Sequence, residues 1–208
     1  EYLMLEILEK HGGKELRNQF LQLQHERYLR GHNVSDRAME PPLEHASVEQ
    51  EHITYGKGAV VLNALSHYTG REEFMNVLSG FFTEFAGKPV SYPTTLQLKE
   101  RITRALPDSL TYKAEELLGD VSVVDPYIEH ATFHRDSTGQ YMTDLLIGFK
   151  KWEAGESVLP RHELVDLVLY DGMGEVIVRT TVRIKSESNR VTLRTSRIPA
   201  RAELDPDR

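Results

Sequence analysis

There is no cysteine in these 208 residues. Disulfides and thiolate metal sites are therefore excluded, and the redox compartment is left open. Long apolar runs are missing as well, since none approaches the roughly 20 residues a membrane-spanning helix needs. Basic charge is in short supply: the formal net charge is −7, which argues against a nucleic-acid partner, because such a partner calls for a basic face. A phosphate-cradling loop is absent, for Gly56-Lys57-Gly58 lacks both the spacing and the preceding strand. No Ser-His-Asp order can be defended from spacing, and no internal repeat or low-complexity tract is visible. What remains is a chain with 39 % apolar and 27 % charged residues, enough of each for a core and a solvated surface, expected to be soluble and globular. It begins mid-pattern at Glu1-Tyr2-Leu3-Met4 and stops without a closing element, so it is expected to be a piece of a longer protein.

The first part of the chain has helical periodicity. Leu3, Met4, Ile7 and Leu8 fit a helix over Tyr2 to Lys10, ended by His11-Gly12-Gly13. A second helix is expected from about Lys14 to Arg30, with Leu16, Phe20, Leu23 and Arg27 on one side and Gly31 as its stop. His32 to Val48 is a loop, because Pro41-Pro42 cannot sit inside a helix. A helix then carries Ala59, Val60, Leu62 and Leu65 and ends near Thr69-Gly70. Arg71 to Ala86 is amphipathic, with Phe74, Val77, Leu78, Phe81, Phe82 and Phe85 as its apolar face. Ser91-Tyr92-Pro93 is extended. Thr94 and Gln97 form a capping box for a helix carrying Leu96, Leu98, Ile102 and Leu106. A last helix covers about Ser109 to Leu118.

After Gly119 the period falls to two. Strands are expected around Ile128 to Phe133, Tyr141 to Ile147, Leu164 to Tyr170, Val176 to Ile184, Val191 to Ile198 and Ala200 to Leu204, with turns at Asp136-Ser137-Thr138-Gly139 and Asp171-Gly172-Met173-Gly174. The fold class is α+β: a helical domain over residues 1–122, then a small antiparallel β-sandwich over 123–208.

The stretch Ile53-Thr54-Tyr55-Gly56-Lys57-Gly58-Ala59 stands out. Two glycines cost about 1 kcal/mol each in helix propensity relative to alanine. Placed at a helix start, they point to close approach by another backbone or a ligand. The plain alternative is a core helix with small residues at a packing contact. Whether Lys57 touches anything is left open by the sequence, the plain expectation being a lysine that is exposed or caps a backbone. Glu49, Glu51 and His52 could bind a cation or an amine, or could form a solvated helix entrance favoured by the dipole. The zinc-protease pattern begun by His25-Glu26 fails, because Leu29 stands where the second histidine must be. His130 and His134 are about 13 Å apart along a strand, too far for one ion, and His134 is expected to face solvent in a hairpin. Arg179, Arg183, Arg190 and Arg194 read as a solvated strand face.

The Tyr55-Gly56-Lys57-Gly58 run, the Gly70-Arg71-Glu72-Glu73-Phe74 element and Tyr92-Pro93-Thr94-Thr95 resemble the aminopeptidase N family of zinc peptidases, the gluzincins. The resemblance implies the back half of the peptidase domain followed by a β-sandwich. It also implies that Tyr55 is the catalytic tyrosine, whose phenol O–H stabilises the oxyanion of the tetrahedral intermediate. Tyr2 is similar to the tyrosine that follows the family's third zinc ligand by five residues. The zinc ligands would lie upstream, so no metal or cofactor-binding residue is assigned. Zinc is expected in the full-length parent and none in this chain, and the isolated chain is not expected to hydrolyse peptides. Glu40-Pro41-Pro42-Leu43, the run from Gln50 to Gly58 and the ending Pro199 to Pro206 further resemble bacterial proteins that fuse an ABC-type permease to such a peptidase domain. The partners implied are a peptide substrate, the rest of the peptidase domain and transmembrane permease segments of the same polypeptide, with this piece a soluble part of a bacterial membrane protein. The alternative is a catalytically inactive peptidase-like module that binds peptides or a partner.

Overall fold

A computed structural model describes residues 1–34, 40–87, 92–153, 156–160 and 163–206. The chain divides into two compact units, Glu1–Ser122 and Val123–Arg208. At this level it is a mixed α+β fold, with a helical region followed by two antiparallel sheets.

The helical unit opens with α1 (Tyr2–Val34), two helical stretches meeting at Gly13, whose φ of 80° and ψ of 177° no helix contains. The break expected at His11-Gly12-Gly13 is therefore present. The expected stop at Gly31 is not, because α1 runs on to Val34. Gly31 answers a different demand: the His52 ring packs where its Cβ would be. A 3-10 turn at Leu43–His45 and a π turn at His52–Lys57 lead into α2 (Gly58–Thr69). Then come α3 (Arg71–Phe85), α4 (Thr95–Ala105) and α5 (Tyr112–Ala114), which continues as a π turn to Gly119. Thr94 caps α4 as expected. Its hydroxyl accepts from the Gln97 amide at 3.3 Å, and the Gln97 side chain accepts from the Thr94 amide at 2.9 Å. Part of the expected loop over His32 to Val48, and Ser91 of the extended stretch, lie outside the described residues.

Leu5, Leu65, Phe74 and Ile102 are fully buried at the centre of this unit, with Tyr2 edge-on to Phe74 at 5.2 Å. Each large apolar side chain so buried contributes about 1.5–3 kcal/mol. α1 departs from expectation in the face it buries. Arg17, Leu21, Gln24 and Tyr28 turn inward, whereas Leu16 and Leu23, at 41 % and 57 % exposure, turn out. Of the inward polar residues, Arg17 serves α2: it donates to the side-chain carbonyl of Asn63, and it also pairs with Glu9 at 3.2 Å.

Among its described residues the second unit has seven strands, where five or six were expected. β1 (Ser122–Arg135), β2 (Tyr141–Glu153), β3 (Glu156–Val158) and β6 (Ser188–Thr195) make one sheet; β4 (Glu163–Tyr170), β5 (Val176–Ile184) and β7 (Arg201–Leu204) make the other. β2 pairs antiparallel with β6 from Tyr141 opposite Thr195 to Gly148 opposite Ser188. β4 lies between β5 and β7. Leu145, Ile147 and Phe149 from the first sheet share one core with Val165, Leu167 and Leu169 from the second. Both expected turns form. Gly139 (φ 87°) and Gly174 (φ 83°) supply the left-handed residue, and in each turn an aspartate, Asp136 or Asp171, accepts two backbone amides.

Candidate functional site

The π turn at His52–Lys57 is built on Gln50. Its carbonyl accepts from the amides of Ile53 (2.9 Å) and Thr54 (3.0 Å) and from the Thr54 hydroxyl (3.2 Å), while its side chain accepts from the Ser47 amide at 3.0 Å. At the far end the Gly58 amide reaches back to Ile53, the bond that widens the turn. Such turns recur at functional sites because they re-aim side chains within a helix. Gly56 rests on α1: a Cβ there would stand 3.0 Å from the Tyr28 amide nitrogen and 3.1 Å from the Gln24 carbonyl oxygen. The close approach expected of this glycine is thus met by backbone. Gly58 meets only ordinary contacts, the nearer at 3.7 Å.

With Gly56 against α1, Tyr55 faces outward and is 45 % exposed. The Arg27 guanidinium lies over its ring, 5.7 Å from the centroid, and makes a long pair with Glu1 at 3.8 Å. A cation over an exposed phenol ring contributes about 0.5–1 kcal/mol and fixes the ring's tilt. Arg27 also borders an open groove of about 520 Å³ floored by Phe20 and Leu23 and walled by Glu1, Gln24 and Arg30. The Arg30 guanidinium is held by Glu26 at 3.1 Å. The site thus offers a partly exposed tyrosine and, through Arg27, a partly apolar groove with balanced charge.

Beneath Tyr55 lies a cluster that sequence reasoning did not find. Lys57 is buried at 6 % exposure, against the expectation of an exposed or capping lysine, and its ammonium sits 3.1 Å from Glu40 Oε1. The Glu40 side chain is wholly buried. It also accepts from the Tyr28 hydroxyl at 3.1 Å and lies 2.5 Å from His32 Nδ1. Burial raises the Glu40 carboxyl, but the hydrogen bonds and charge of His32 and Lys57 outweigh it and leave the group below its ordinary value. The neighbouring turn is tied down separately, by Glu44 to Lys99 on α4 at 2.6 Å. A lysine squeezed between glycines ahead of an apolar helix was the one available hint of burial. Its partner, 17 residues upstream across a loop, carried no signal.

The remaining candidates separate. Glu49 and Glu51 are exposed, whereas the His52 Nε2 atom is buried without a hydrogen-bond partner, its ring against Gly31. His25 Nε2 is likewise buried and unpartnered, and burial lowers that imidazole's pKa from its ordinary value. Tyr2 is a core residue whose phenol burial pushes up to about 12; its hydroxyl lies near Ser66 and Glu6 without a well-formed hydrogen bond. His130 and His134 are exposed on β1, His134 being 3.8 Å from Asp144. Arg194 is no idle surface charge: it reaches Asp136 at 2.8 Å and Thr138 at 2.6 Å.

Among the described residues, no group of three or more His, Asp or Glu side chains could hold a metal ion. Nor is any described helix long and apolar enough to cross a membrane. No protein-family model matches the chain, and comparison with curated proteins gives no match.

Proposed function

We propose that this chain is the back half of a gluzincin-type aminopeptidase with its following β-sandwich, and that it supplies the phenol that stabilises the oxyanion during peptide-bond hydrolysis. The observation that carries this reading is the placement of Tyr55: a 45 % exposed tyrosine on a braced π turn, under an arginine, Arg27, that also lines an open groove. A phenol fixed in this way donates to the carbonyl oxygen as negative charge builds there, with no reorganisation at the moment of reaction. Phe20 and Leu23 give the groove an apolar floor against which a peptide side chain rests. Zinc, in this reading, is held by residues of the parent outside this chain. Leu16 and Leu29, outward apolar residues of α1 that do not line the groove, are then part of a surface for the rest of the peptidase domain, and the permease segments belong to the same parent polypeptide in a bacterial membrane.

The exposed stripe on α1 equally favours a second reading, an inactive peptidase-like module that binds peptides or a partner. Zinc content and aminopeptidase turnover of the full-length parent and its Tyr55→Phe variant separate the two. On the first reading the variant keeps its zinc and loses turnover by on the order of 100-fold, the scale of one oxyanion donor. A parent without zinc and turnover leaves the binding module; a zinc-loaded, active parent indifferent to Tyr55→Phe removes Tyr55 from the chemistry.

A further inference from the structure

We propose that Glu40 is a positioning residue for Tyr55, acting through Lys57 to set the π turn that aims the phenol; this rests on the functional reading above. Three neighbours on one turn divide the labour. Gly56 lies so close to the α1 backbone that a Cβ there would stand 3.0–3.1 Å from it, Lys57 reaches Glu40 at 3.1 Å, and Tyr55, immediately before them, is left to point outward. A π turn has no geometry of its own to fall back on, because an ordinary α-turn is always available to the same residues and would rotate each side chain to a new direction. Contact at Gly56 alone fixes how close the turn lies to α1. The ion pair opposes its rotation, because turning Lys57 away would leave the wholly buried Glu40 carboxylate without its ammonium partner. Glu40 is itself held on α1 by Tyr28 and His32, four residues apart on one helix face, at 3.1 and 2.5 Å. The path from α1 to the phenol therefore runs Tyr28 and His32, Glu40, Lys57, Tyr55.

The choice of residues fits this role better than a purely structural one. Burying two charges forfeits their hydration, and apolar residues of similar volume would fill the space at least as well. What an ion pair adds is an obligatory partner: a buried ammonium must meet its carboxylate, whereas apolar side chains tolerate several arrangements.

The test uses the full-length parent with 3-fluorotyrosine at position 55, read by fluorine NMR alongside steady-state kinetics. Glu40→Gln and Lys57→Met are each expected to shift or broaden the Tyr55 resonance. Each is also expected to lower kcat by about 10- to 100-fold, the scale of an ångström of misplacement, with KM within about two-fold. The Glu40→Met/Lys57→Met double variant, which removes both charges and refills the space, guards against simple misfolding. It is expected to regain thermal stability without regaining the native resonance or kcat. Recovery of resonance and kcat together with stability would make the pair a structural filler only, and an unchanged resonance in the single variants would sink the inference outright. If the wild-type parent shows no turnover, the functional reading fails, and the resonance alone still decides whether Glu40 orients Tyr55.

Discussion

Replacing Gly56 by alanine tests the packing on which the candidate site stands. The new Cβ would lie 3.0 Å from the Tyr28 nitrogen, 3.1 Å from the Gln24 oxygen and 3.3 Å from the Tyr28 Cα. All three atoms are backbone of α1, so no side chain can swing aside and the turn must lift by a few tenths of an ångström. Overpacking of this kind costs about 1–3 kcal/mol. Against it stands the helix propensity that alanine gains over glycine, at most about 1 kcal/mol. The expected net effect of Gly56→Ala is a destabilisation of about 1–2 kcal/mol. Gly80→Ala is the matched control: it lies within α3, exposed, with nothing within 4 Å of its Cβ position. There alanine gains propensity with no clash, and stability should rise by about 0.5–1 kcal/mol. Urea unfolding followed by far-ultraviolet helical ellipticity measures both changes. Fluorescence of Trp152, the only tryptophan in the sequence, reports separately on the second unit. Gly56→Ala unfolding at or above the wild-type midpoint would refute the close contact between the π turn and α1.

Two further outcomes are expected. Thr94→Ala removes the hydroxyl that caps α4 and should cost the helical unit about 1 kcal/mol by the same urea assay. His25 is buried with its pKa below the ordinary 6.5, so the unfolded chain binds a proton there more readily than the folded one. It has no effect on stability above its ordinary value and destabilises progressively as pH falls from there through the folded value. His25→Gln should accordingly flatten the loss of helical-unit stability below that pH, measured as urea midpoints across a pH series.

The parts of the fold that could be read from sequence are those decided by neighbours along the chain. Thr94 and Gln97 are three apart and cap each other. The two aspartate turns carry their own glycines. Gly56 was legible as a demand for close approach, though nothing said which backbone would come. The failures are residues whose environment is set by distant partners. Periodicity put Leu16 and Leu23 on one face of α1, and the structure turns them outward, with Arg17 facing Asn63 on α2 and the backbone of Gln24 and Tyr28 lying under the π turn. Lys57 and Glu40 each look like surface residues, and only their meeting makes either burial tolerable. Gly31 was read as a helix stop on the statistics of glycine, whereas it makes room for His52.

Arg194 and Arg197 stand three residues apart at the end of β6, yet they grip different sheets. Arg194 holds Asp136 in the β1–β2 turn, and Arg197 holds Asp171 in the β4–β5 turn at 2.5 Å. During synthesis both hairpins emerge from the ribosome well before either arginine does. Each turn must therefore wait, with its aspartate's outer oxygen facing water, until one short late segment arrives to clasp both. Because β2 and β6 also pair across 48 residues, closure of this unit is a non-local event, and its slowest step should track the docking of that segment rather than the formation of the hairpins.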